Sequence, residues 1–353
     1  MKLSIIIPVY NVEKYIEKCI LSLQHQDIPV SDYELIIIND GSPDNSREVI
    51  IRLAAQYNNI VFIEQENKGV SLARNAGIDR AGGEYLLFID PDDYVEANSF
   101  SRIWKDAYES NAEVVFLGYT FLNSDDSVRK EILFTQEKGK VYPGIIAYHI
   151  SRGDGTTDPD RSVAILFQRD FMNKANIYYI PNIPYLEDGE FLARVMCLAK
   201  QCIFSGNPFY FRTTRPGSAT NSGLFYSDKA IDGFFNAANN LKEFKKTYIL
   251  NKAQDNFINQ PITKFTLLIV QACVKKGYYN KYKLIKERLK INSLNKIEIK
   301  GCSVFYYKYG LLFNISNDLF YYTWRIRLLL ISINKKAQSI FRKDRKIEIM
   351  LTN

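Results

Sequence analysis

The chain has 353 residues, of which 46% are hydrophobic, and it carries a formal net charge of +7. This length and composition exclude a disordered chain and are enough for two domains with real cores. The longest apolar run, "FTLLIVQACV" at 265–274, is about half the length needed to cross a bilayer, so the sequence predicts no membrane-spanning helix. The opening "MKLSIIIPVYN" lacks the features of a signal peptide, and a cytoplasmic location is expected.

The cysteines and histidines argue against two common kinds of site. The five cysteines are odd in number and scattered, without the close pairs of a zinc site or a redox motif. His25 and His149 stand apart from other metal ligands, which argues against a histidine triad or a histidine metal site. Proton transfer, if the chain performs any, is therefore expected from carboxylates.

The first third of the chain alternates short β-branched runs with helical stretches. We predict strands over 3–10, 33–40, 60–65 and 84–90, and helices over 13–26, 45–57, 69–80 and 97–110. This alternation predicts a parallel sheet covered by helices on both faces. From 113 onward the pattern changes, with strands predicted over 113–122, 162–168, 202–205 and 209–212 and a helix over 187–199. Beyond about 226 the sequence is typical of helices.

Polar residues follow the carboxyl ends of three of these strands. They are Tyr10 and Asn11, Asn39 and Asp40, and Asp90 to Asp93. Ligands bind beyond the carboxyl ends of the strands in such sheets, so these residues predict one site at this edge. The three carboxylates of "DPDD" raise each other's pKa unless a cation or strong donors meet them. A positive partner is therefore expected there.

The stretches "SIIIPVYN", "IINDGSPDNS" and "ENKGVSLARNAGIDRAGGEYLLFIDPDDYV", in this order, resemble glycosyltransferase family 2. The resemblance covers residues 3–100 and continues more weakly through "LEDGEF" and "FRTTRPGSATNS" to about 222. It implies an α/β chain with the GT-A fold, Rossmann-like with a mostly parallel sheet flanked by helices, over 1–225. Its nucleotide-sugar half would cover about 1–112 and its acceptor half about 113–225. A mostly α-helical, basic region is expected over 226–353.

The resemblance also implies a divalent cation, Mn²⁺ or Mg²⁺, at the Asp-x-Asp motif formed by Asp90, Pro91 and Asp92. Asp92 would be the direct ligand and Asp90 would face the ribose or share the cation, since both ions prefer oxygen ligands. Further nucleotide-sugar-binding residues implied by the resemblance are Pro8, Tyr10, Asp40 and Arg74. The alternatives are a solvated acidic turn and ordinary turn residues.

Two later segments complete the implied site. Glu187 and Asp188 of "YLEDGEF" are similar to the family's Glu-Asp pair, in which Asp188 would be the general base and Glu187 the second choice. Arg212, Arg215 and Ser218 of "FRTTRPGSATNS" would close over the diphosphate and stabilise its charge. The alternative for the acidic pair is a helix N-terminus enriched in acids, which the helix dipole favours. The alternatives for the arginine segment are a basic loop and a contact with RNA phosphate.

The function implied by the resemblance is inverting transfer of a hexosyl or N-acetylhexosaminyl group from a UDP-sugar to a hydroxyl of a glycan or lipid-linked acceptor, as in bacterial surface polysaccharide assembly. One alternative is a sugar nucleotidyltransferase, which should show a glycine-rich loop after the first strand. The sequence "PVYNVEKY" has no glycine there. The other alternative is an inactive nucleotide-binding scaffold, and Glu187 with Asp188 argues against it.

The positive charge is concentrated near the end of the chain. Residues 300–353 hold ten Lys and Arg against three acidic residues. The stretch "LFYYTWRIRLLLISINKKAQSIFRK" mixes aromatic, aliphatic and basic residues as interfacial amphipathic segments do. The readings are peripheral contact with the inner face of the plasma membrane, a plain helical appendage, or nucleic-acid binding. No RNA-binding signature is present, and no nucleic-acid partner is expected.

Overall fold

The computed structural model describes residues 1–152, 160–213, 223–276 and 279–333. Contacts group the chain into two compact units. The first is formed by Met1–Ser222 with Glu243–Ile258, and the second by Gly223–Lys242 with Asn259–Asn353. The division of the chain into domains at 225 stays a prediction.

Nine strands in the described part of the chain form one sheet, which is the frame of the first unit. Its strands are β1 (Leu3–Val9), β2 (Tyr33–Asp40), β3 (Ile60–Gln65), β4 (Tyr85–Phe88), β5 (Tyr94–Val95), β6 (Val114–Leu122), β7 (Val128–Ile132), β8 (Ile165–Gln168) and β9 (Cys202–Arg212). They follow the order β3-β2-β1-β4-β8-β6-β9-β5, with β7 beside β6. Strands β1 to β4 are parallel, as predicted, but β8 runs antiparallel to both β4 and β6. The sheet as a whole is therefore mixed.

The helices of the first part of the chain form where apolar residues repeat at helical spacing. They are α1 (Ile16–Gln24), α2 (Ser46–Ala54), α3 (Val70–Arg80), α4 (Phe100–Glu109), α5 (Gly144–Ser151), α6 (Arg169–Lys174) and α7 (Glu187–Leu198). In α4, for example, Phe100, Ile103 and Ala107 are buried and lie on one face. Strands β1 and β2 are buried along their whole length, as expected for strands covered on both faces.

The two strands predicted over 202–205 and 209–212 are one continuous strand, β9, so the predicted break was wrong. Gly206, Asn207 and Pro208 between them are residues typical of a turn. The partner strand β6 accommodates them through register shifts on either side of Gly118. A Cβ atom at Gly118 would lie 2.3 Å from the carbonyl oxygen of Asn207, so only glycine permits this close approach.

The register of the parallel strands brings three loops to one edge of the sheet. Pro8 of β1 lies opposite Ile38 of β2, and Ile6 lies opposite Phe88 of β4. The chain therefore leaves β1, β2 and β4 at nearly the same level. The predicted polar residues after these strands are neighbours because of this alignment.

The described chain after β9 is helical apart from the connections between helices, of which the longest covers 292–303. The helices are α8 (Asp228–Thr247), α9 (Lys252–Lys276), α10 (Tyr279–Ile291), α11 (Val304–Ile315) and α12 (317–333). Among the described helices, only the segment Lys252–Lys275 of α9 is long and apolar enough to cross a membrane, with a mean hydropathy of 1.2. Of its apolar window, 72% is buried inside the fold, which is the behaviour of a core helix.

Candidate active site

The acidic turn after β4 is stabilised by hydrogen bonds with residues at the end of β9. The carboxylate of Asp93 is buried and accepts hydrogen bonds of 2.7 Å from the Tyr210 hydroxyl and of 2.7 Å from the Thr213 N–H. The same Tyr210 hydroxyl accepts a hydrogen bond from the Asp90 N–H. Burial, together with the charges of Asp90 and Asp92, raises the pKa of Asp93 well above its usual range. Asp93 is therefore an internal support of the turn.

The other two acids of the turn face outward. The Asp90 carboxylate is one-third exposed and lies 3.2 Å from Nη2 of Arg74. Asp92 is partly exposed, and its carbonyl oxygen accepts a 2.6 Å hydrogen bond from the Thr213 hydroxyl. These donors fit a divalent cation that arrives with a diphosphate, because one or two carboxylates completed by phosphate oxygens form the usual Mg²⁺ site. Among the described residues, no group of three or more His, Cys, Asp and Glu could hold a metal ion without such a ligand.

Arg74 lies at the centre of the site. It is carried by α3, only 3% of its side chain is exposed, and the Tyr179 ring lies 5.0 Å from its guanidinium carbon. Nη1 is 3.1 Å from Glu187 Oε1 and 3.1 Å from Asp188 Oδ1, while Nη2 contacts Asp90. Burial acts to lower the pKa of Arg74, but Tyr179 and the three carboxylates outweigh it and raise the pKa well above its usual value. One buried cation thus joins the predicted donor-side acid to the predicted acceptor-side acids.

Glu187 and Asp188 occupy the first turn of α7. The chain enters this helix through Leu186, whose backbone is left-handed with φ of 61°, a conformation that costs about 1 kcal/mol or more for a non-glycine residue. Burial and the charge of Asp188 raise the pKa of Glu187 to about 7, although Arg74 acts in the opposite direction. Burial also raises the pKa of Asp188, against the lowering effect of Arg74. Two acids with raised pKa values and one shared counter-ion are typical of a catalytic centre.

A set of buried side chains holds Asp188 in place. The Ser162 hydroxyl, which is fully buried, donates a 2.8 Å hydrogen bond to Asp188 Oδ1, and the Tyr179 hydroxyl lies 3.4 Å from the same atom. The Tyr179 ring stacks on Phe191 of α7 with 4.0 Å between ring centroids. The Asn75 side chain donates to the Tyr179 carbonyl and accepts from the Tyr179 N–H, both at 2.8 Å.

The predicted nucleoside residues lie at the ends of β1 and β2. Pro8 is buried within β1, whereas Tyr10 is 49% exposed just beyond it. Asp40 is buried, and its Oδ1 accepts hydrogen bonds of 2.7 Å from Gln65 Nε2 and 2.8 Å from the Lys68 N–H. Its Oδ2 accepts a 2.8 Å hydrogen bond from the Gly69 N–H. Tyr10 and Asp40 therefore lie at the ends of two neighbouring strands. The Tyr10 ring is exposed, and the Asp40 carboxylate is fixed in place.

The predicted diphosphate segment is described only in part. Arg212 ends β9 and lies 5.6 Å from the centre of the Phe121 ring. Although burial acts to lower the pKa of Arg212, the charges of Asp90 and Asp93 outweigh it and raise the pKa above its usual value. Arg215 and Ser218 lie outside the described residues.

Sequence reasoning missed the residues that support the site from within the fold: Ser162, Tyr179, Tyr210 and Thr213. Ser162 precedes β8, and Tyr210 belongs to β9. No motif marked either of them. The sequence showed only that Ser162 and Tyr210 lie in or beside predicted apolar strands that reach the same edge of the sheet.

Comparison with known proteins identifies the family. Residues 4–169 match the family model described as Glycosyl transferase family 2. The glycosyltransferase GlyG of Streptococcus pneumoniae serotype 4 is 30% identical over 220 residues, which cover 61% of this chain and 72% of GlyG. The chain belongs to glycosyltransferase family 2. The resemblance seen in the sequence is confirmed.

Other relatives match this chain over only part of their length. The uncharacterized glycosyltransferase EpsJ of Bacillus subtilis strain 168 is 31% identical over 228 residues, which cover 62% of each chain. The chain spans about a third of two further curated relatives, at 31% and 33% of their length. The similarity therefore concerns a shared region and not whole proteins.

The fold of this family-2 chain is shared with a solved structure. The crystal structure of Staphylococcus aureus TarS 1–349 in complex with UDP-GlcNAc superposes with a TM-score of 0.61 over 84% of this chain and 80% of that one, at 21% identity. This likeness shows the GT-A fold. The predicted fold class, with its helical C-terminal region, is confirmed.

Proposed function

We propose that this protein is an inverting glycosyltransferase that transfers a hexosyl or N-acetylhexosaminyl group from a UDP-sugar to an acceptor hydroxyl. The observation that carries this proposal is the contact of Arg74 with Asp90 on one side and with Glu187 and Asp188 on the other. A single displacement needs a base on the acceptor side, facing a leaving nucleotide whose charge is stabilised. The two halves of that requirement are adjacent in this site.

We propose a UDP-sugar as the donor because the site offers groups for both the base and the diphosphate. The exposed Tyr10 ring offers a surface for the base, and the fixed Asp40 carboxylate offers an acceptor for a base N–H. We assign the diphosphate to Asp90, Arg74 and Arg212, and Pro8, which is buried in β1, supports the strand that carries Tyr10. The TarS structure in complex with UDP-GlcNAc, which shares the fold, supports UDP as the nucleotide.

In the proposed reaction Asp188 removes the proton of the acceptor hydroxyl, and the oxygen attacks the anomeric carbon while the bond to the diphosphate breaks. The configuration inverts, and no covalent intermediate forms. The raised pKa of Asp188 suits a general base, because proton transfer is most effective when the pKa lies near the working pH. Mn²⁺ or Mg²⁺ held by Asp92 and Asp90 would neutralise charge on the leaving diphosphate.

We propose a glycan or a lipid-linked glycan as the acceptor, in the assembly of a bacterial surface polysaccharide. Support comes from the name of the S. aureus relative TarS, a poly(ribitol-phosphate) beta-N-acetylglucosaminyltransferase. We propose a cytoplasmic enzyme that works at the inner face of the plasma membrane. Its basic and apolar C-terminal helices support this location.

A donor screen followed by a turnover assay tests the proposal. With Mn²⁺ present, the correct sugar nucleotide among UDP- and GDP-sugars should raise the melting temperature, since a ligand at 100 times its dissociation constant stabilises by about 2.7 kcal/mol. The same donor with a mixed glycan acceptor pool should release UDP, and Asp188→Asn should bind the donor without this release.

Each alternative gives a different result in these two assays. Donor binding without any UDP release by the native chain would indicate an inactive nucleotide-binding protein. Formation of a sugar nucleotide from a nucleoside triphosphate and a sugar phosphate would indicate a nucleotidyltransferase. Either result would overturn the proposal.

A further inference from the structure

The last described helix, α12, exposes a continuous apolar stripe. Six large side chains on it are between 43% and 61% exposed: Leu319, Tyr322, Ile326, Leu329, Leu330 and Ile333. At 3.6 residues per turn they fall within about 100° of the helix circumference. We call this set the α12 stripe. Large apolar side chains concentrated on one exposed face mark an interaction surface, whereas isolated ones are ordinary.

The opposite face of α12 is packed over its first two turns, which fixes the orientation of the helix. Phe320 is fully buried and lies 5.8 Å from Phe313 of α11, measured between ring centroids. Trp324 lies 5.3 Å from Tyr309, also on α11. Tyr321 stacks on Tyr282 of α10 at 4.1 Å. The residues that pack α12 against α10 and α11 are thus different from the residues of the stripe. The stripe is not needed for this packing.

Basic residues border the stripe on both sides. On the helix circumference Arg325 lies beyond one edge of the stripe and Arg327 beyond the other, each within about 60° of it. Arg327 is also hydrogen-bonded to the Tyr309 hydroxyl, which fixes its position. Asp318 is the only acidic residue between 299 and 333, and it is paired with Lys286 and accepts a hydrogen bond from the Tyr282 hydroxyl. The exposed surface of α12 is therefore apolar in the centre and cationic at both edges.

We infer that the α12 stripe docks onto an anionic membrane surface. An interfacial helix lies flat with its apolar side chains among the acyl chains and its basic side chains at the headgroup level, and α12 has this distribution. A second copy of the chain is a poorer partner. A symmetric contact through the stripe would bring the arginines of both copies together, and Asp318, the acidic residue of this helix, is already paired with Lys286. Anionic lipid headgroups supply the missing charge.

This inference deepens the proposed location at the plasma membrane, and its test does not depend on the proposed transfer reaction. The test is co-sedimentation of the full-length protein, without donor or acceptor, with vesicles of phosphatidylcholine containing phosphatidylglycerol. We expect binding at low salt, weaker binding at high salt, and little binding to pure phosphatidylcholine. The variant I326S/L329S should bind at least about tenfold more weakly, because two inserted side chains are lost. Arg325→Gln should weaken binding by about fivefold.

A matched control separates docking from a general loss of apolar surface. Ile51 and Ile249, both in the first unit, are also exposed, and I51S/I249S should bind the vesicles as the native protein does. Circular dichroism and the melting temperature should show that all variants are folded. Native protein that stays in the supernatant with anionic vesicles at low salt would overturn the inference. So would equal binding by I326S/L329S, or a dimer in solution that this variant dissociates.

Discussion

Nη1 of Arg74 lies 3.1 Å from Oδ1 of Asp188, although 114 residues separate them in the chain. The guanidinium therefore provides charge for the acceptor-side acid before any substrate is present. Because Arg74 also contacts Asp90, a diphosphate bound beside Asp90 would compete with the acids for the same cation. In the proposed mechanism, donor binding and the basicity of Asp188 would therefore be coupled through one side chain.

Replacing the proposed base tests this arrangement directly. Asp188→Asn keeps the size of the side chain but cannot accept a proton, so turnover should fall by about 10²- to 10⁴-fold. Donor affinity, measured by calorimetry, should change little. Glu187→Gln is the matched control and should retain much more activity. If Glu187→Gln were the inactive variant and Asp188→Asn the active one, the roles of the two acids would be exchanged.

Ser162→Ala tests whether the buried hydroxyl positions Asp188. Loss of the 2.8 Å hydrogen bond should lower kcat by about 10- to 100-fold, the value of one hydrogen bond to a charged group, with the KM for the donor unchanged. Ser162→Thr, which keeps the hydroxyl, should recover part of the activity if the extra methyl group is accommodated. An unchanged kcat in Ser162→Ala would assign this hydroxyl a structural role only.

The raised pKa of Glu187 predicts a dependence of stability on pH. Its pKa is about 7 in the folded protein against an ordinary value of 4.5, so the folded state binds more protons than the unfolded state between these values. The contribution of Glu187 to the free energy of unfolding is therefore greatest below 4.5 and is lost as the pH rises through 7. Glu187→Gln should remove this slope. Urea denaturation of both proteins at several pH values measures it, and parallel curves would contradict the assignment.

The hydroxyl of Tyr210 supports the acidic turn, and Tyr210→Phe should destabilise the fold. Asp93 would lose one of its two donors while remaining buried, which costs about 1–3 kcal/mol. Tyr108→Phe is the control, because Tyr108 is 59% exposed and the change should be nearly neutral. Thermal or urea denaturation compares the two. Equal stability of both variants would show that Asp93 finds another donor.

The cation prediction rests on Asp92. Asp92→Asn should weaken the binding of UDP in the presence of Mn²⁺ strongly and leave the melting temperature almost unchanged, since Asp92 is a loop residue outside the core. Calorimetry with and without Mn²⁺ measures the effect, with Asp126→Asn as a control on an exposed loop carboxylate. If Asp92→Asn bound UDP with unchanged Mn²⁺-dependent affinity, Asp92 would not be the ligand of the cation.

The sequence predicted well those parts of the fold that depend on local pattern. The bounds of β2 and β3 agree with the predicted 33–40 and 60–65, because apolar runs there begin and end at clear turn residues. The predicted position of α7 was also close. Strand β7, with the sequence "VRKEI", was missed because it is an exposed edge strand whose polar residues show no apolar alternation.

The support of the site could not be predicted from local pattern. Asp93 and Tyr210 are 117 positions apart, and they meet only because β9 runs beside β6 and pairs with β5. Ser162 reaches Asp188 because β8 inserts antiparallel between β4 and β6. A single sequence contains no local signal for either pairing. Motifs thus indicated the acids of the site, whereas the topology determines what surrounds them.

The clamp on Asp40 bears on which nucleotides this cleft can select. The N–H groups of Lys68 and Gly69 fix both carboxylate oxygens, so Asp40 would keep its position when the proposed nucleotide binds. Tyr10, at the neighbouring strand end, is half exposed and is not held by such a set of donors among the described residues. A pyrimidine and a purine would therefore be distinguished by a fixed distance from Asp40 to the edge of the base, with Tyr10 following whichever ring satisfies that distance.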